Sequence, residues 1–139
     1  MASISSVDIQ NINHQIDQAL ANHTKWHDDL IRRLLCRLPL PDSVMAQAAY
    51  RHCEFGTWFY GMGKKQVENL PAFILIGSLH KLMHISAREI CQKVKATGYV
   101  QEADYDYFFR SLTLFRQELN TLKHKVAVLQ KATAAESNV

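Results

Sequence analysis

His80 and His84 stand four residues apart, so on a helix both imidazoles leave one face and could grip a single ion. His23 and His27 repeat that spacing. A pair alone is a weak signal, and position gives these weight. His23 and His80 each fall where an apolar stripe of helical spacing calls for a core residue. An imidazole turned into a core needs a hydrogen-bond partner or a metal. Cys53 lies between them in the chain. Together, the three imidazoles of His23, His80 and His84 and the thiolate of Cys53 suit zinc, whose structural sites are tetrahedral and take nitrogen and sulfur donors. Four protein donors leave no open position for water, so such a site staples or senses rather than catalyses. The plainer alternative is a set of core histidines satisfied by ordinary hydrogen bonds. Histidines in two separate inward stripes, with a cysteine between them, favour the ligand cluster.

The elements that must position these side chains are helical throughout. Ser5 to Asp8 resembles a capping box with Asp in the acidic position. Apolar residues then recur at Ile9, Ile12, Ile16 and Leu20, and again at Leu30, Ile31, Leu34 and Leu38, with His23, Trp26 and His27 between. Leu38-Pro39-Leu40-Pro41 ends this first helix. A shorter helix starts near Asp42 or Ser43 and carries Val44, Met45, Ala48 and Ala49. Cys53 to Trp58 interrupts the pattern, and Gly61-Met62-Gly63 marks a turn. Asn69-Leu70-Pro71 opens the next helix, with Asn69 as cap. Its stripe is Phe73, Ile76, His80, Met83, Ala87, Ile90 and Val94, and Thr97-Gly98 stops it. The last helix starts near Asp104 and presents Phe108, Leu112, Phe115, Leu119, Leu122, Val126 and Leu129. The expectation is an all-α antiparallel four-helix bundle with an additional short helix, homodimeric through the long stripe of its last helix. Residues 1–131 form one domain, and 132–139 a disordered polar tail.

Composition narrows the partners. A chain of 139 residues, 47% hydrophobic and 21% charged, suits one soluble domain with a single core. The longest apolar run, Phe73 to Leu82, is broken by Gly77, His80 and Lys81, which excludes a membrane span. The start, MASISSVDIQ, has no basic region followed by an apolar one. A net charge of +3, scattered along the chain, gives no track for nucleic acid. Cys36, Cys53 and Cys91 form no CxxC, so reduced thiols in the cytoplasm are expected. Cys36 and Cys91 read as small buried residues. Tyr99, Tyr105, Tyr107, Phe108 and Phe109 read as core or dimer packing.

The ordered motifs His23-Thr-Lys-Trp26, Cys53-Glu-Phe-Gly-Thr-Trp58 and His80-Lys-Leu-Met-His84 resemble the chemoreceptor zinc-binding domain family. They also resemble the N-terminal sensor half of a zinc-regulated bacterial diguanylate cyclase. Asn69-Leu70-Pro71 is similar to that family's approach to its third major helix, and the likeness runs from the first helix to Leu129. It implies zinc as the cofactor, held by His23, Cys53, His80 and His84. His27 and His52 stand close enough in sequence to compete. It also implies a homodimer attached to a chemoreceptor or diguanylate cyclase output, with zinc restraining the output domains. The domain would be regulatory rather than enzymatic, since nothing after Leu129 could fold into a cyclase. A carboxylate or carbonyl would steady each ligand's outer nitrogen, and Asp28, Glu54 and Glu89 are available without the sequence choosing among them. Trp26 and Trp58 would shield the site, and Gly56 would allow a close backbone approach beside Cys53. Three rivals share these residues: a redox sensor using the Cys53 thiolate, a purely structural zinc staple, and an open-site enzyme built on His23, His80, His84 and water.

Overall fold

Three long helices and a run of short ones account for the described residues, 5–137, of the computed structural model. Helix α1 spans Ser6–Cys36. Ser5 caps it, its hydroxyl oxygen accepting the Asp8 N–H at 3.1 Å. Ile9, Ile12, Ile16, Ala19, His23 and Leu30 form its buried stripe. It stops before Leu38, at Arg37, whose left-handed backbone (φ 54) lets its N–H reach the Arg33 carbonyl.

The single short helix expected after Pro41 is split into α2 (Asp42–Met45) and α3 (Ala49–His52), and two further short helices follow, α4 (Glu54–Trp58) and α5 (Lys64–Val67). Ala46 and Cys53 are extended and separate them. The interruption expected over Cys53 to Trp58 is thus confined to Cys53, and Glu54–Trp58 is helical. A single π turn, Phe59–Gly63, joins α4 to α5, and Gly61 leaves helical angles there (φ −107, ψ −107). The expected turn is therefore a kink inside a helical path.

Helix α6 spans Pro71–Thr97. Its N-cap is Leu70 rather than Asn69, and no side chain caps it. Pro71 forces the residue before it into extended backbone and sets the first helical φ itself, which starts the helix without help from Asn69. Gly98 (φ 83) ends it as expected. Helix α7 spans Glu102–Ser137. It runs on through Ala132–Ser137, where composition suggests a tail; alanine is the strongest helix former. Asn138 and Val139 lie outside the described residues.

Helix α7 packs against both α6 and α1, while the short helices bridge α6 and α1 on the opposite side. The α6–α7 hairpin is antiparallel. So are α1 and α7, because Lys123 pairs with Asp17 at 2.7 Å while His27 meets Phe108 and Phe109. Helices α1 and α6 therefore run parallel on a diagonal of a four-walled bundle, the fourth wall being the short helices. No strand occurs among the described residues.

That fourth wall is tied down at several points. Phe59 stacks on Phe73 of α6 with ring centroids 4.1 Å apart and planes at 11°. Gly77 makes room for it, since a Cβ there would lie 2.6 Å from the Phe59 ring. Arg88 Nε donates to the Met45 carbonyl at 3.0 Å, Trp58 Nε1 to Asn11 Oδ1 at 3.2 Å, and Gln66 Nε2 to Asp8 Oδ1 at 2.9 Å.

The α7 stripe from Phe108 to Val126 is buried within the chain's own core. It holds the monomer together, and so gives no argument for a second copy. Cys91 is buried as expected, but Cys36 is exposed because it falls on the last residue of α1, off the core stripe. Of the aromatic cluster only Phe108 is fully buried; Tyr99, Tyr107 and Phe109 are half exposed. Among the described residues, no helix is long and apolar enough to cross a membrane.

Candidate metal centre

The bundle brings His23, Cys53, His80 and His84 to one point. One nitrogen or sulfur atom from each lies within 4.8 Å of all the others. His23 comes from the middle of α1, and His80 and His84 from successive turns of α6. Cys53 comes from the extended residue between α3 and α4, where it caps α4: the Gly56 N–H donates to Cys53 Sγ at 3.3 Å. Sequence patterning could not reveal that role. A glycine is needed at 56 because a Cβ there would overlap the Tyr50 carbonyl. This is the close approach expected beside the cysteine.

His80 Nε2 is the hub. It lies 3.2 Å from His23 Nε2, 3.2 Å from His84 Nε2 and 3.3 Å from Cys53 Sγ. An imidazole nitrogen has either one hydrogen or one lone pair, so it cannot satisfy three such neighbours by hydrogen bonding. A cation can. Zinc bonds of ~2.0–2.1 Å to nitrogen and ~2.3 Å to sulfur place tetrahedral donors roughly 3.3–3.6 Å apart. The donor set therefore suits a zinc ion, and the three spacings from His80 lie close to that range, within a cluster whose donor atoms are at most 4.8 Å apart.

The surroundings keep the histidines neutral. Phe55 and Phe115 flank His80 with ring centroids at 4.9 and 5.3 Å, and Trp26 lies 4.8 Å from His84. Burial, and then the nearby His84 and His23, lower the His80 pKa to about 2. Burial and His23 lower that of His84 to about 3. Burial also lowers that of His23, against the hydrogen bond to Ala19. The Cys53 thiol moves up, chiefly through burial, although backbone N–H groups at the start of α4 oppose this. Neutral imidazoles are ready to bind metal; the thiol must first lose its proton.

Where an outer nitrogen is held, a carbonyl holds it and not one of the available carboxylates. His23 Nδ1 donates to the Ala19 carbonyl at 2.8 Å. Of the three carboxylates available, Asp28 pairs with His27 at 3.2 Å and Glu54 accepts from Asn22 at 3.2 Å. Glu89 lines a separate surface hollow with Asp104 and Tyr107. His80 Nδ1 is buried without a hydrogen-bond partner. His27 packs on Phe108 and Phe109 rather than joining the cluster, and His52 is exposed beside Cys53. Trp26 shields the site directly; Trp58 acts one layer out, against Phe55. Sequence reading missed a cleft of about 360 Å³ that reaches the cluster between α1 and the short helices.

The family model of the chemoreceptor zinc-binding domain matches residues 14–91. The chain belongs to the chemoreceptor zinc-binding domain family. That match contains all four clustered residues. The chain is also similar to the diguanylate cyclase DgcZ of Escherichia coli (strain K12), 25% identical over 118 residues, which make up 85% of this chain. It spans 40% of the length of that curated relative. Among solved structures, the regulatory chemoreceptor zinc-binding domain of DgcZ superposes with a TM-score of 0.73 at 24% identity, covering 86% of this chain and 98% of that one. The shared fold is the all-α bundle expected from sequence.

Proposed function

We propose that this chain is a regulatory zinc-binding domain. His23, Cys53, His80 and His84 hold one Zn²⁺, and its occupancy sets the conformation of a linked or partner signalling output, a diguanylate cyclase or a chemoreceptor. The observation that carries this reading is the convergence of three imidazole nitrogens and one thiol sulfur within 4.8 Å in a buried pocket. A bound zinc supplies bonds that join α1, the short helices and α6. The residues do the rest. His23 is oriented by Ala19, Cys53 by the first turn of α4, and His80 and His84 by the rigid spacing of α6. Binding favours whichever arrangement brings all four together. Helix α7, packed on both α1 and α6, carries a change in their spacing along its length.

Metal content by plasma mass spectrometry tests this directly, on the protein as purified and on Cys53→Ala and His80→Ala. One zinc per chain, lost or sharply weakened in both variants, is the expected result. No metal after reconstitution, or unchanged binding in both variants, would return the histidines to ordinary core residues. An open-site enzyme instead predicts that Cys53→Ser keeps the metal and gains hydrolytic activity. A pure staple predicts that the apo protein unfolds.

One observation favours a second reading, oxidant sensing. Cys53 is the only member of the cluster that is not fully buried, and it borders the cleft. Hypochlorous acid would transfer oxygen to its thiolate, giving a sulfenic acid and chloride; peroxide would leave hydroxide instead. Zinc release on titration with either oxidant, abolished in Cys53→Ser, distinguishes this from sensing of zinc alone.

A further inference from the structure

The cleft beside the cluster touches three of its four members. His23, Cys53 and His84 line it, whereas His80 does not. His80 is instead 1% exposed and sealed between Phe55 and Phe115. The outer part of the cleft is walled by polar side chains from α1, including Gln15, Gln18 and Asn22, and by Ala46 and Ala49 of the short-helix wall. Gln15 Oε1 is buried without a hydrogen-bond partner, and Glu54 at the rim accepts from Asn22 at 3.2 Å. At about 360 Å³ the space falls at the small end of small-molecule sites. It offers room for roughly a dozen waters.

From this asymmetry we infer that the cleft is a binding site for a small metal-chelating molecule of amino-acid size, through which zinc is exchanged by direct ligand substitution. The proposal rests on the zinc reading above and deepens it. His23, Cys53 and His84 would offer a held ion to an incoming donor from the cleft, whereas His80, walled off by Phe55 and Phe115, does not line that face. A Cys53 displaced by such a donor would keep its sulfur's electron pair and take up a proton from solvent. Access is limited by size: a donor wider than the cleft has no path to this face.

The test uses zinc-loaded protein and L-cysteine as the attacking ligand, with a dextran-coupled zinc fluorophore, too large for the cleft, reporting the ion released. The release rate should rise in proportion to L-cysteine concentration. Ala49→Leu and Gln18→Phe, which fill the cleft without replacing a cluster residue, should lower that slope at least about fivefold by setting a clash against the visitor. Zinc content at equilibrium and the circular dichroism spectrum should stay as in the parent. A parent release rate independent of L-cysteine overturns the proposal, since exchange would then wait on spontaneous opening. So does an unchanged slope in both variants. Protein that never binds stoichiometric zinc removes the zinc reading itself, a result told apart by metal analysis before any kinetics.

Discussion

His23 Nδ1 lies 2.8 Å from the carbonyl oxygen of Ala19, one turn earlier in α1. A carbonyl only accepts, so the proton sits on Nδ1 and the lone pair of Nε2 faces His80. The backbone of α1 thereby sets the tautomer that a metal needs, a task usually given to a carboxylate or carbonyl partner. His23→Ala should weaken zinc binding by more than the ~10–100-fold that loss of an outer partner typically costs. Competition titration against a chelator of known affinity checks this, with helical content compared by circular dichroism.

Protons should leave when metal enters. Burial holds His23, His80 and His84 neutral near pH 7 and pushes the Cys53 thiol up, so only the thiol has a proton to lose. Titration calorimetry in buffers of differing ionisation enthalpy should give about one proton released per zinc at pH 7. Cys53→Ala should reduce that number towards zero in whatever binding remains. Release of two or more would mean that a histidine is protonated in the metal-free protein.

Acid should destabilise the metal-free fold through the same histidines. His80 and His84 have folded pKa values of about 2 and about 3, and His23 is also lowered from 6.5. Between those values and 6.5 the unfolded chain binds protons that the folded chain refuses, so stability rises with pH. Their contribution is intact above about pH 6.5 and is lost as pH falls below it, each histidine giving a slope of up to about 1.4 kcal/mol per pH unit. Urea unfolding at a series of pH values should show this loss, and His80→Leu should flatten it. A parent profile level from pH 7 to 4 would contradict the buried, neutral assignment.

Gly56→Ala should damage fold and site together. The added Cβ would overlap the Tyr50 carbonyl, and the same glycine's N–H donates to Cys53 Sγ. Overpacking of this kind costs roughly 1–3 kcal/mol, and the shift it forces falls on the segment that presents the sulfur. Thermal unfolding should begin at lower temperature, and zinc affinity should drop more than in Thr57→Ala, an exposed neighbour.

Helical periodicity made the three long walls legible, because the stripes of α1, α6 and α7 are regular and buried nearly as spaced. It also made His23 and His80 stand out, as imidazoles at core positions, with His84 one turn on. The fourth wall was harder to read. Its helices are four or five residues long, too short for a period to declare itself, and extended Ala46 and Cys53 divide them. The capping role of Cys53, the Ala19 carbonyl behind His23 and the cleft all arise from tertiary approach, which no local pattern encodes. Asn69 misled because proline already starts that helix. His27 shares His23's helix and repeats the four-residue spacing of the α6 pair, yet one further turn of α1 aims it at Phe108 and Phe109.

Helices α1 and α6 stand at opposite corners of the bundle's cross-section, and His23 meets His80 between them. A four-sided frame with hinged corners leans easily, and a strut across its diagonal is what makes it stiff. An ion joining His23 to His80 and His84 would be such a strut, with Cys53 fastening the short-helix side to it. The movement it resists is sideways leaning of the square into a lozenge, while sliding of helices along their axes is left to side-chain packing. Anything attached at the far end of α7 would then sense metal as a change in the angle at which two walls meet.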